Sequence, residues 1–167
     1  MIAEAPADAL GLRELARRVG VSPAAVYRHF PDKAALLAAL AGEGLTMLGA
    51  AQRAAFERAG GGERGFAATG AAYVRFALAH PALFRLTFRH PAPADLMDGA
   101  GAQPDAMGFL LENARRYAPP GVDPAVFALQ AWSLAHGLAM LMLDGQVPAD
   151  DAAIDRVVAA HLLGARR

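Results

Sequence analysis

The chain contains no cysteine, which excludes disulfides, thiolate metal sites and cysteine nucleophiles. It has no net charge, with 16 basic and 16 acidic side chains. That balance argues against coating nucleic acid or membranes by bulk charge. β-Branched residues are scarce and no stretch alternates polar with apolar residues, so strands are not expected. No basic segment followed by an apolar core opens the sequence. A secretory leader is therefore not expected, and the chain is read as cytoplasmic.

Clusters that carry chemistry are also missing. There is no glycine-rich phosphate loop, no nucleophile elbow and no histidine–carboxylate pair at helical spacing. His80, His90, His136 and His161 are scattered, without the paired spacing a metal site needs. Neither catalysis nor a cofactor or metal is expected. A helical-bundle enzyme would need two acid–base groups lining one cavity, and the sequence does not point to such a pair.

Of the 167 residues, 55% are hydrophobic, and many of these are alanine, a strong helix former. The expectation is an all-α chain: a small N-terminal unit, residues 1–41, and a larger helical domain, residues 42–167.

The most informative stretch is Leu12 to Leu40, LRELARRVGVSPAAVYRHFPDKAALLAAL. Leu12, Leu15, Ala16 and Val19 recur at helical spacing and form an expected inward face. Arg13, Glu14, Arg17 and Arg18 take the other face. Gly20 stands where a helix ends in the left-handed conformation, and Val21 is expected to plug the corner. Ser22 offers an N-cap, with Pro23 at the first helical position, where a missing N–H costs nothing. The second helix, Pro23 to Phe30, turns Val26 and Phe30 inward. Ala24, Ala25, Tyr27, Arg28 and His29 are left outside. Asp32 caps a third helix whose first turn carries Lys33, a cation opposed to the helix dipole. A neighbouring phosphate would remove that conflict.

These outward residues suit a DNA groove. Ala24 and Ala25 are small enough to let a helix approach base edges. Tyr27, His29 and Lys33 are types that bond phosphates, and Arg28 can bond a phosphate or pair bidentately with guanine. Between Arg13 and Lys33 five basic residues face two acidic ones, so positive charge gathers where DNA would lie.

The run Gly20-Val21-Ser22, Tyr27-Arg28-His29-Phe30, Lys33 and Leu36-Leu37 closely resembles the DNA-binding signature of TetR/AcrR transcriptional regulators. The resemblance implies that Pro23 to Phe30 is a recognition helix. It places Ala25, Tyr27, Arg28, His29 and Lys33 at DNA-contacting positions, and with Arg13, Ser22 and Ala24 these are the expected DNA-contacting set. That family's head has a further helix upstream. Here only Met1 to Ala5 precede the loop Pro6–Gly11, and Ile2-Ala3-Glu4 reads as the last turn of that helix. The expectation is a head whose first helix is mostly missing.

Downstream, Lys33 to Phe56 reads as one long helix that Gly42, Gly44 and Gly49 weaken or bend. Gly60-Gly61-Gly62 ends it. Helices are expected over Glu63–Ala79, Pro81–Phe88 and Asp105–Tyr117, with Pro91–Gln103 as a loop. Asp123-Pro124 opens an apolar helix, Ala125–Leu143, whose polar side chains are Gln130, Ser133 and His136. Its central polar trio and lack of basic flanks argue against a membrane span. A helix apolar all round is buried on both sides, here by the core and by a second subunit. Asp150 or Asp151 caps a last helix ending near Leu163. The charge pairs Arg115-Arg116 and Arg166-Arg167 read as solvated helix ends.

Trp132, His136 and Gly137, with Tyr73-Val74-Arg75-Phe76, Ala79-His80-Pro81 and Leu83-Phe84-Arg85-Leu86, resemble the effector domain of a TetR subgroup with a Trp…His-Gly element. The resemblance implies a homodimer through the last two helices and a pocket for a small apolar or amphipathic effector. The expected pocket set is Tyr73, Phe76, Phe84, Phe88, Met107, Leu111, Trp132, His136 and Met140. The expected function is a regulator binding double-stranded operator DNA, a repressor released by its ligand, with no membrane partner. The competing expectation is a ligand-binding and dimerisation module that has lost DNA binding through N-terminal truncation.

Overall fold

The computed structural model describes residues 11–89 and 106–164, with side chains as far as residue 160. The expectations for residues 1–10 and for the loop Pro91–Gln103 lie outside the described residues. The described residues form eight helices and no strand: α1 (Leu12–Val19), α2 (Pro23–His29), α3 (Lys33–Arg58), α4 (Gly62–Ala79), α5 (Pro81–Thr87), α6 (Ala106–Tyr117), α7 (Pro124–Leu143) and α8 (Asp151–Gly164). The chain is all-α.

The helix ends follow local chemistry. Gly20 closes α1 in the left-handed region, φ 78°, where a side chain would be strained. Ser22 Oγ accepts from Ala25 N at 3.2 Å and starts α2 ahead of Pro23. Asp32 Oδ1 accepts from Ala35 N at 2.8 Å and starts α3. Asp123 does the same for α7 through Ala125 N at 2.7 Å. Of the two candidate caps for α8, Asp150 fills the role, accepting from Ala152 N and Ala153 N. Asp151 is thereby left for an ion pair across the fold.

Helix α3 runs unbroken through Gly42, Gly44 and Gly49. The glycines do not interrupt it; at Gly44 the missing side chain serves packing. A Cβ there would run into the Thr87 hydroxyl and come within 3.3 Å of Leu83. Gly44 thus lets α5 lie directly on α3.

Helix α4 is the hub, packed against α3, α7 and α8, while α3 also carries α5 and α6. The main core gathers Leu48, Val74, Phe84, Leu138, Ile154 and Val158. A second cluster joins Phe66, Leu111, Ala114, Phe127 and Ala128 between α4, α6 and α7. An ionic clamp fastens α4 to α8. Arg75 Nε bonds Asp151 at 2.8 Å, and its Nη2 bonds Asp155 at 3.0 Å. Arg85 of α5 pairs with Asp144 just after α7.

Two inward expectations are corrected. Val19 is 75% exposed and Val21 44%. Leu12 and Ala16 are buried, while the last turn of α1 and the corner after it stay exposed. Val26 and Phe30 are half-buried.

Helices α3 and α7 are long and apolar enough to cross a membrane by length and composition alone. Each packs against several others, α3 on α4, α5 and α6, and α7 on α4, α6 and α8.

Candidate DNA-binding face and ligand cavity

Among the described residues, the outer face of the N-terminal unit is built by α2 and the start of α3. Ala24, Tyr27, Arg28 and His29 are exposed; Ala25 and Lys33 are half-buried at its edge. Ser22 uses its oxygen as the helix cap, which leaves its O–H free to donate to a phosphate. Pro23 and the cap fix the start of α2, so the positions of Tyr27, Arg28 and His29 follow from one short, rigid helix.

On helix α1 two of the three arginines share one carboxylate. Arg17 grips Glu14 through two bonds, at 2.9 and 2.8 Å, and Arg18 adds a third at 3.1 Å. These bonds, Arg17's first, hold the Glu14 carboxyl down to about 2. Arg13 is exposed on the same helix.

The expected pocket residues divide among four places. Tyr73, Phe88, Met107 and Trp132 line a narrow cavity of about 40 Å³ between α3, α4, α6 and α7. Phe84, Phe88, His136 and Met140 line a larger cleft of about 660 Å³, which reaches Leu37 and Leu40 on the first turns of α3. Phe76 and Leu111 line neither. Phe76 is buried in the main core with its ring against His80 at 4.9 Å. Leu111 belongs to the second cluster. Helical spacing marked both as inward; it could not say which interior each would enter.

A hydrogen-bonded chain joins cavity and cleft. Trp132 Nε1 donates to Tyr73 Oη at 3.1 Å, and Tyr73 Oη lies 2.8 Å from His136 Nδ1. Indole can only donate, so Tyr73 accepts there. One arrangement then satisfies all three groups: the phenol gives its proton to Nδ1, and a neutral His136 carries its own proton on Nε2. Burial supports it, lowering the His136 pKa and pushing the Tyr73 phenol well above its ordinary value. Phe84 stacks on His136 at 5.5 Å, and Phe88 packs edge-on to it at 5.4 Å.

Sequence reasoning missed the cavity's other wall. Leu45, Leu48 and Gln52 reach it from α3, and Phe66, Thr69 and Gly70 from α4. Gln52 could have been noticed as a polar residue at helical spacing from Leu45, Leu48 and Ala55 on an inward face. It is only 6% exposed, its Nε2 donates to the Thr69 carbonyl at 3.4 Å, and its Oε1 has no partner.

A helix-turn-helix at one end and a helical domain enclosing an apolar cavity define a class, a one-chain helical regulator. Residues 1–40 match the family described as bacterial regulatory proteins, tetR family. Residues 66–164 match the tetracyclin repressor-like C-terminal domain. The chain belongs to the TetR family and is a DNA-binding transcriptional regulator. No match is found among curated proteins. A solved protein of unknown function from Rhodococcus sp. RHA1 is 35% identical, with a TM-score of 0.71 over 96% of this chain and 85% of that one. A second, SCO4313, provisionally named a regulatory protein, is 29% identical, with a TM-score of 0.64 over 98% of this chain and 89% of that one.

Proposed function

We propose that this protein is a homodimeric repressor released from its operator by a small, largely apolar ligand bound in the C-terminal domain. One observation carries the reading. Helix α3 begins at Lys33, borders the cleft at Leu37 and Leu40, and lines the cavity at Leu45, Leu48 and Gln52, without a break. A helix that touches both ends of the molecule turns a shift at the cavity into a shift of the head.

The division of labour falls near Gly42, with residues 1–41 reading DNA and 42–167 binding ligand and partner. Arg13, Ser22, Ala24, Ala25, Tyr27, Arg28, His29 and Lys33 form the DNA face, with Arg28 its base-reading residue. Two copies pair through α7 and α8, whose outer faces leave Val126, Leu129, Leu141 and Val157 exposed. That pairing would set two α2 helices in successive major grooves about 34 Å apart. Such a protein works where the chromosome is, in the cytoplasm. Ligand coupling of about 1–3 kcal/mol lowers operator affinity some 5- to 150-fold. Fluorescence anisotropy with labelled operator, repeated with ligand present, tests this. Release at saturating ligand is expected; operator affinity unchanged by a ligand that binds would contradict it.

A further inference from the structure

The cleft beside α3, α5 and α7 carries polar side chains of one kind. In its described lining they belong to Arg85, Arg89 and His136, with no Asp, Glu, Asn, Gln, Ser or Thr. Arginine donates and cannot accept. His136 sets Nδ1 against the Tyr73 hydroxyl at 2.8 Å. The arrangement that satisfies Trp132 and Tyr73 puts the imidazole proton on Nε2, so His136 too has only a donor left to give. That Nε2 bonds no described residue. It is not sealed in either, because Gln52 Oε1 is the one buried side-chain polar atom without a partner among the described residues.

Side chains that only donate call for a partner that accepts. Charge narrows the choice. Two guanidiniums and no carboxylate line the cleft. Arg85 gives Nη2 to Asp144, just outside the lining, and a guanidinium has further N–H groups to offer. A cation would meet arginine and no counter-charge in the lining. A carboxylate would take charge-assisted bonds from Nε2 and from a guanidinium. The rest of the wall is apolar, with Leu37, Leu40, Leu83, Phe84 and Met140 in it. At about 660 Å³, the cleft has the size of a small-molecule site.

Building on the ligand-released reading above, we infer that this cleft seats the ligand and that the ligand is an amphipathic carboxylate. Its apolar body lies on Leu37, Leu40 and Leu83, and its carboxylate accepts from His136 Nε2 beside Arg85 and Arg89. A body on Leu37 and Leu40 touches α3 within about two turns of Lys33. The ligand would thus press on the part of α3 nearest the head.

The test titrates the full chain with octanoate, 1-octanol and octylammonium, which share an alkyl chain and differ in the head, and reads the heat of binding near neutral pH. Octanoate is expected to bind roughly tenfold more tightly than 1-octanol, although the alcohol is the more readily expelled from water, and octylammonium least of all. His136→Phe keeps a ring and removes the donor. The octanoate preference should there fall to parity or reverse, with a melting curve confirming the fold. Leu40→Trp adds bulk to the cleft from an exposed position and should weaken octanoate severalfold. Three results would each overturn the inference: 1-octanol binding the wild type as well as octanoate does, an unchanged preference in folded His136→Phe, or octanoate binding undiminished in Leu40→Trp. Failure of all three probes to bind would overturn it too. If His136→Phe does not fold, the order of probes on the wild type and the effect of Leu40→Trp decide. The release reading fails separately. Octanoate that binds in the expected order yet leaves operator affinity unchanged would sink release and leave the chemistry of the cleft standing.

Discussion

Arg28 sits exposed near the end of α2, and under the proposed function its guanidinium would meet DNA in one of two ways. Pairing with a guanine discriminates by about 1–3 kcal/mol, whereas a phosphate contact does not. Arg28→Ala is expected to weaken operator binding by that amount and to leave random DNA nearly unaffected, measured by anisotropy on both duplexes. Equal losses would make Arg28 a phosphate contact. In the interior, Tyr73→Phe strands the Trp132 N–H and the acceptor nitrogen of His136 together. A loss of about 1–3 kcal/mol in urea unfolding is expected, although the change removes one oxygen. His136 adds a pH dependence. Burial lowers its pKa in the folded state, so the unfolded chain binds the proton more readily, and stability falls as pH drops through the ordinary histidine range. From about pH 7 to pH 5 the wild type should lose more stability than His136→Asn, which keeps an acceptor but does not titrate. Parallel losses would show that His136 stays neutral or charged in both states.

At the scale of the helix, what could be read from the sequence was local. Gly20, Ser22-Pro23, Asp32 and Asp123-Pro124 mark helix ends because each acts on backbone groups within one turn. Contacts between distant segments were not legible. The clamp of Arg75 on Asp151 and Asp155 spans more than seventy residues, and no spacing rule announces it. Val19 fitted the inward stripe by period yet stands exposed, because burial needs a neighbour as well as a face. Gly44 was legible as a weak point in α3 but not as the seat of α5. Alanine at Gly44 would favour the helix by about 1 kcal/mol, yet its Cβ meets Thr87. Gly44→Ala is therefore expected to destabilise the chain, and in a Thr87→Ala background the same change should stabilise it. Chemical denaturation of the four-member cycle measures the reversal; the same sign in both backgrounds would remove the packing explanation.

For the molecule as a whole, the family likeness and the fold agree on a DNA-binding regulator, and the proposed pairing through α7 and α8 can be tested on its own. Leu129 and Leu141 are nearly half exposed, on a side of α7 that also carries the exposed Gln130 and Ser133. Leu129→Asp with Leu141→Asp should convert a dimer to a monomer in light-scattering chromatography without unfolding the chain. A monomeric wild type would refute the pairing. The central claim, that the residues of α2 read a specific DNA sequence as a symmetric pair, has a more direct test. Purified chain is mixed with a library of randomised duplexes, and bound DNA is recovered and sequenced over successive rounds. The account predicts an enriched near-palindrome with half-sites about one helical turn apart, lost when the selection is repeated with Arg28→Ala. Recovery of duplexes with no common sequence, or of one that Arg28→Ala enriches equally well, would contradict it.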